Sequence, residues 1–336
     1  MSARRSKVYV TRLIPEKGIR LLRDQVEVDL NEGELPPSKE VLIQHTRNKD
    51  GLLSLLTDTI DSEVMDSCPH LKVVSNYAVG YDNIDVAAAT KRGIVVTNTP
   101  EVLTETVADF AWALLMACAR RVVEADGSAR SGEWKTWGPM MLLGVDVAGK
   151  TLGIVGAGRI GSSVARRAAG FNMKILYTDS VRKEELEKQA GAKFVDLDTL
   201  LRESDFISLH VSLTKETTHM IARPELDKMK STAILINTSR GPVVDQKDLY
   251  EALASGKILG AGLDVFTTEP IPASDPLLKL KNVVVTPHIA SASVETRTKM
   301  AEVAAQNLLD ALSGRTPRFT VNPEVLSVHR RQHGTS

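Results

Sequence analysis

The chain is 336 residues long, 43% hydrophobic and 25% charged, with 42 basic and 42 acidic side chains that cancel. A prior of about 150 residues per domain suggests two domains, and the balanced charge argues against a nucleic-acid or anionic-membrane surface, which needs a basic excess. Two cysteines, Cys68 and Cys118, stand in no metal or redox spacing and point to free thiols in a reducing compartment.

No apolar run approaches the roughly 20 residues of a membrane span. The first residues, Met1-Ser-Ala-Arg-Arg-Ser-Lys7, lack the apolar core of a signal peptide and lead into a strand-like Val8-Tyr-Val-Thr11. A cytoplasmic location is expected. Apolar runs at 7–11, 26–30, 51–56, 71–76 and 94–98 alternate with helix-compatible stretches such as 16–24 and 62–67. That alternation reads as βαβ units on a parallel sheet. Pro100 then opens the longest apolar helix, read as continuous from Thr104 to about Arg130 and, through Phe110–Ala119, apolar on every face and so buried all round. A looser segment, 132–149, carries Trp134 and Trp137.

Residues 151–161 read Thr-Leu-Gly-Ile-Val-Gly-Ala-Gly-Arg-Ile-Gly. A short apolar run ends in Gly156-x-Gly158-x-x-Gly161 and passes into a helix-compatible segment. Such glycines permit a tight turn, the approach of a pyrophosphate and close helix–strand packing, with phosphate at the helix N-terminus. An acid about 20 residues on completes the context required of a dinucleotide motif; here it is Asp179, closing Lys174-Ile-Leu-Tyr-Thr. A carboxylate there suits a ribose 2′-hydroxyl and repels a 2′-phosphate, so NAD is preferred to NADP. Arg182 and Lys183 follow and can grip a phosphate, which keeps NADP open.

Further strand-like runs at 206–210, 233–238, 260–265 and 282–286 are each followed by polar groups: His210, then Ser239 and Arg240, then Asp264 and Glu269, then His288. In parallel α/β sheets ligands sit outside the carboxyl ends of the strands, so these groups converge on the crevice that the glycine loop marks. A final amphipathic helix is expected over 293–313, and 327–336 reads as a frayed tail.

Asn237-Thr-Ser-Arg-Gly241, Asp264-Val-Phe-x-x-Glu-Pro270 and Pro287-His-Ile-x-Ser291, downstream of the glycine motif, resemble the D-isomer-specific 2-hydroxyacid dehydrogenase family. The resemblance runs over about residues 7–323. Asn76–Asp85, Ser131–Trp137 and Ile207-Ser-Leu-His210 are similar in particular to glyoxylate/hydroxypyruvate reductases. It implies two Rossmann-like and flavodoxin-like doubly wound parallel-sheet domains with a cleft between them. The substrate domain would be discontinuous, 1–99 plus 287–336, around an NAD-binding domain at 100–286.

The implied reaction is reduction of a small 2-keto acid by a nicotinamide cofactor. Its catalytic residues would be Arg240, a bidentate fork for a carboxylate; His288, a general acid suited to neutral pH; and Glu269, which orients the ring and favours its protonated form. Substrate would be bound by the backbone N–H groups of Val79 and Gly80, by Leu55, and by Trp137, which related reductases offer across a homodimer interface. Around the cofactor would lie Thr104, Gly156, Gly158, Arg159, Ile160, Gly161, Asp179, Thr238, Asp264 and Ala290, with His210 and Thr217 on the adenine side or else serving as cap and turn residues. Two positions depart from the family pattern: Ala290 stands where glycine is common, and Ser212 where proline is usual. D-3-phosphoglycerate dehydrogenase, or another D-2-hydroxyacid dehydrogenase, shares the four motifs, and so does a dinucleotide-sensing corepressor on the same fold. The motifs alone leave these open.

Overall fold

Short β-branched runs with both faces covered make parallel strands, and two sheets of this kind organise the chain. The computed structural model describes residues 4–326, which fold as two units: the chain up to Leu103 with the segment from Ala292, and Thr104–Ser291. The tail 327–336 lies outside the described residues.

The first unit runs β1 (Lys7–Val10), α1 (Glu16–Gln25), β2 (Glu27–Leu30), α2 (Lys39–Thr46), β3 (Gly51–Ser54), α3 (Ser62–Asp66), β4 (Val73–Asn76), α4 (Val86–Lys91) and β5 (Val95–Thr97). The sheet order is β2-β1-β3-β4-β5, with every pair parallel. Val8, Val10, Leu52, Leu53, Val73, Val74 and Val96 are fully buried in it. Ser38, Asp61 and Asp85 cap α2, α3 and α4 by accepting a backbone N–H of the first turn, each worth about 1 kcal/mol. The order reverses between β1 and β3, which makes their carboxyl ends this sheet's ligand crevice.

The second unit begins with α5 (Thr104–Ala119) and α6 (Val122–Arg130). The single helix expected over Thr104–Arg130 is therefore broken. Arg121 takes a left-handed conformation with φ 52°, and its guanidinium turns onto Glu124 at 2.8 and 2.9 Å. Nor is the stretch buried all round: Asp109 and Ala113 are exposed, and α6 buries no residue. The inner face of α5, with Val107, Ala111, Trp112 and Leu115, covers the sheet that follows.

That sheet is built from β6 (Thr151–Val155), α7 (Arg159–Arg167), β7 (Lys174–Thr178), α8 (Glu184–Ala190), β8 (Lys193–Phe194), α9 (Leu197–Glu203), β9 (Phe206–Leu209), α10 (Arg223–Leu226), β10 (Ile234–Asn237), α11 (Gln246–Ala254), β11 (Gly260–Leu263) and β12 (Val283–Val285). Its order is β12-β11-β10-β9-β6-β7-β8, all parallel. The winding reverses between β6 and β9, the place where a doubly wound sheet takes its ligand. The chain then re-enters the first unit as α12 (Val294–Leu312), capped by Ser293 on Thr296 N–H at 3.1 Å. Segment 287–291 goes with the second unit and not, as expected, with the first, because backbone N–H groups at 288, 289 and 290 are tied to Asp264 at the end of β11.

Candidate active site

The loop after β6 is shaped by what its glycines allow. Gly156 has φ 89°, and a Cβ there would press on the backbone of His210 and Val211 at 2.9 Å. A Cβ on Gly161 would run into the Gly156 carbonyl, so α7 starts hard against the strand. Gly158 caps α7 without a side chain, and the direction its Cβ would take is open space. Arg159 and Ile160 form the first turn of α7. A helix N-terminus reached through open space suits a phosphate.

Asp179, at the end of β7, accepts the Ala157 N–H at 2.8 Å through Oδ2 and the Val181 N–H at 3.2 Å through Oδ1. It thus braces the glycine loop as well as presenting its carboxylate. Lys183 lies 3.6 Å from it. Arg182 is engaged elsewhere: both arms of its guanidinium meet Glu187 at 2.8 and 2.7 Å, a carboxylate that also accepts the Tyr177 hydroxyl.

His210, after β9, shares a 2.8 Å hydrogen bond with the Ser208 hydroxyl, and burial pushes its pKa down to about 3, so the ring is neutral. Thr217 is a turn residue; its hydroxyl donates to the Ser212 carbonyl at 2.7 Å and accepts the Thr214 N–H at 2.8 Å. At the end of β10 the Thr238 hydroxyl is buried with no partner among the described residues. Thr104 opens α5. An open glycine cradle and an uncapped helix start after β6, with an orphaned hydroxyl at the end of β10 in the same sheet, together fit a dinucleotide.

Asn237, almost wholly buried, shapes the next turn. Its Oδ1 accepts the Ser239 N–H at 3.0 Å, and its Nδ2 donates to the Arg240 carbonyl at 2.9 Å. The Arg240 guanidinium donates to the Ser239 carbonyl at 2.8 Å. Gly241 packs so closely on the Phe266 carbonyl that a Cβ would overlap it. This contact, to which the sequence motif lends no obvious role, brings the Arg240 turn against the loop after β11.

That loop holds Glu269, and the loop after β12 holds its partner His288. Glu269 accepts the Phe266 N–H at 2.9 Å through Oε1 and meets His288 Nδ1 at 2.7 Å through Oε2. Burial pushes the Glu269 carboxyl up, but the hydrogen bond and charge of His288, the Phe266 N–H and the Arg240 charge outweigh it and hold it below the ordinary glutamate value. An ionised carboxylate only accepts, so Nδ1 carries the proton and Nε2 is left as the ring nitrogen to exchange one.

His288 itself sits at φ 54°, a strained setting for a residue with a side chain. Asp264 holds it there. This fully buried carboxylate accepts the Thr286 hydroxyl at 2.6 Å and the N–H groups of Ile289 and Ala290, each at 2.8 Å. Burial raises its pKa in spite of those bonds. Ala290 is 4% exposed. The clamp function of Asp264 is not apparent from the motif that contains it.

In the first unit, Leu55 follows β3 and donates its N–H to Asp58 at 2.7 Å; Val79 and Gly80 follow β4 and are half-buried. Trp137 stands apart on the segment after α6, 74% exposed.

A family model described as D-isomer specific 2-hydroxyacid dehydrogenase, NAD binding domain, matches residues 112–290. The chain is 62% identical over 323 residues to a glyoxylate reductase of Korarchaeum cryptofilum, covering 96% of this chain and 97% of that one. It is 55% identical over 325 residues to a glyoxylate reductase of Thermococcus litoralis, with 96% and 98% covered. Among solved structures, a Thermus thermophilus protein superposes with TM-score 0.89 at 48% identity, covering 94% of this chain and 99% of its own. An NADPH-dependent glyoxylate/hydroxypyruvate reductase from Sinorhizobium meliloti, solved with NADP and malonate, superposes with TM-score 0.83 at 34% identity, covering 94% and 97%.

Proposed function

Because the chain belongs to the D-isomer-specific 2-hydroxyacid dehydrogenase family, we propose that it reduces glyoxylate, hydroxypyruvate and similar small 2-keto acids to D-2-hydroxy acids. The observation that carries this reading is the 2.7 Å pairing of His288 with an ionised Glu269, one turn of chain from the Asp264 clamp. Glyoxylate reductases 62% and 55% identical to the chain support the choice of substrate.

The residues take the following parts. The Arg240 guanidinium binds the substrate carboxylate in bidentate fashion and draws electron density from the adjacent carbonyl. In the first unit, the backbone N–H groups of Val79 and Gly80 are assigned to a substrate carboxylate, and Leu55 to lining the substrate. Glu269 accepts from His288 Nδ1 and keeps the ring oriented, so Nε2 is the nitrogen that offers a proton to the carbonyl oxygen. General acid help of this kind is worth about 10²–10⁴-fold. A nicotinamide dinucleotide, held by Thr104, the loop Gly156–Gly161, Asp179, His210, Thr238, Asp264 and Ala290, supplies the hydride when bound.

NADH is the preferred donor in this reading, because Asp179 disfavours a 2′-phosphate and Arg182 is paired with Glu187. The assembly proposed is a homodimer. Val122, Val123, Trp134, Trp137, Met140 and Leu143 are all more than half exposed on one segment, an apolar surface that calls for a partner, and Trp137 is offered to the other subunit. The two cysteines are unbridged, and no helix among the described residues is long and apolar enough to cross a membrane; the cytoplasm, with its reducing conditions, is the proposed location.

Steady-state assays with glyoxylate, hydroxypyruvate, pyruvate and phenylpyruvate, each with NADH and NADPH, test the reading. Turnover fastest with glyoxylate or hydroxypyruvate and NADH is expected. No turnover of any of the four would overturn it.

A further inference from the structure

In the loop after β4, residues 78–80 are held through their carbonyl groups. The Ala78 carbonyl accepts the Thr99 N–H at 2.8 Å, the Val79 carbonyl accepts the Asn98 side-chain amide at 2.7 Å, and the Gly80 carbonyl accepts the Asn76 side-chain amide at 2.9 Å. Among the described residues, no acceptor takes the N–H of Val79 or of Gly80. In a trans peptide the C=O of one residue and the N–H of the next point to opposite sides. Fixing the Ala78 carbonyl therefore turns out the Val79 N–H, and fixing the Val79 carbonyl turns out the Gly80 N–H. Of these two anchors only Asn98 is a side chain.

The anchors are themselves fixed. Asn307 donates to the Asn98 carbonyl at 3.1 Å. Asn76 also donates to Asn83 Oδ1 at 3.1 Å, and Asn83 donates to the carbonyls of Leu55 and Asp58 at 3.1 and 2.9 Å. The loop after β3 and the loop after β4 are thus joined through one amide side chain.

We propose that Asn98 is a positioning residue for substrate binding, presetting the Val79–Gly80 peptide so that two outward N–H groups receive a carboxylate, with Asn83 keeping Leu55 in register beside them. The inference rests on the reading of Val79 and Gly80 as the carboxylate site. Two N–H donors aimed in advance cost no reorganisation when the anion arrives, and hydrogen bonds to a charged group are the stronger kind. Because the carboxylate is held alike before and during reduction, loss of the preset peptide raises KM and leaves kcat nearly unchanged.

The test compares wild type with Asn98→Ala and the isosteric Asn98→Asp, neither of which can donate to the Val79 carbonyl. Expected is a rise of about tenfold or more in both the glyoxylate KM and the Kd of oxamate, a non-reacting carboxylate analogue, with kcat and the Kd of NADH within about twofold of wild type. Asn98→Asp decides the matter if Asn98→Ala does not fold. In wild-type protein with NADH, oxamate should slow amide hydrogen exchange at Val79 and Gly80. Unchanged KM and oxamate Kd would overturn the proposal, as would a parallel loss of kcat, NADH affinity and thermal stability, or exchange at Val79 and Gly80 indifferent to oxamate. Failure of the underlying reading shows separately, as wild-type protein that turns over no 2-keto acid.

Discussion

His288 and Glu269 lie 19 residues apart in the chain, yet Nδ1 of one meets Oε2 of the other at 2.7 Å. The contact depends on two neighbours that are not reactive. Asp264 holds His288 in a left-handed conformation by accepting the N–H groups that follow it, and the Phe266 N–H holds Glu269 from the other oxygen.

Replacing Glu269 by Gln keeps the shape and removes the charged acceptor that orients the His288 ring. Turnover should fall by about 10²-fold, while Glu269→Asp falls less. The substitution also changes how stability depends on pH. Glu269 has its folded pKa below the ordinary glutamate value, so its contribution is fully present above that value and is lost as pH falls through the lower, folded one. Thermal unfolding of wild type and Glu269→Gln should therefore converge at acid pH and separate above the ordinary glutamate range. A constant gap across pH would contradict the pairing.

His210 makes a second pH prediction of separate origin. Desolvation holds its half-buried ring neutral, with a folded pKa of about 3 against an ordinary value of 6.5. The unfolded chain therefore binds the extra proton between those values and stability declines as pH falls from 6.5 toward 3, by at most about 1.4 kcal/mol per unit. Unfolding of cofactor-free His210→Gln should show a shallower decline over that window. The same slope in both proteins would count against the desolvated neutral ring.

Asp179 bears on the choice of coenzyme. Asp179→Ala removes the carboxylate that disfavours a 2′-phosphate but also the acceptor of the Ala157 N–H. NADH affinity should fall, and the NADPH-to-NADH ratio of affinities should rise by about tenfold. Direct fluorescence titration of both coenzymes measures it. An unchanged ratio would remove Asp179 from the selective role.

Much of this was legible in the residues. Parallel strands betray themselves as unbroken apolar runs such as Ile234-Leu-Ile236, because both faces are covered, and the glycine loop is written in positions that tolerate no side chain. The break at Arg121 was not legible, since neither glycine nor proline marks it; the left-handed turn is stabilised by the side-chain pairing with Glu124. Strand β8 is two residues long and exposed, too short for any alternation to register. The placement of 287–291 in the second unit follows from the side chain of Asp264, and no linear pattern reports a carboxylate's hydrogen-bond partners. Asn98 was silent for the same reason: its value lies in which carbonyl it meets.

The exposed segment after α6 bears on assembly. Trp137→Asp should weaken the proposed homodimer and raise the KM for glyoxylate, and sedimentation at graded concentration would show the shift toward monomer. A wild-type chain that sediments as a monomer at all concentrations would contradict the dimer and the cross-subunit role of Trp137 together.

The most direct test of the proton-donor assignment is NADH oxidation by glyoxylate in wild type and His288→Ala, with NADH binding titrated in parallel. Turnover lower by about 10²–10⁴-fold is expected in the variant, with NADH affinity within twofold of wild type. Wild-type turnover in His288→Ala would contradict the assignment.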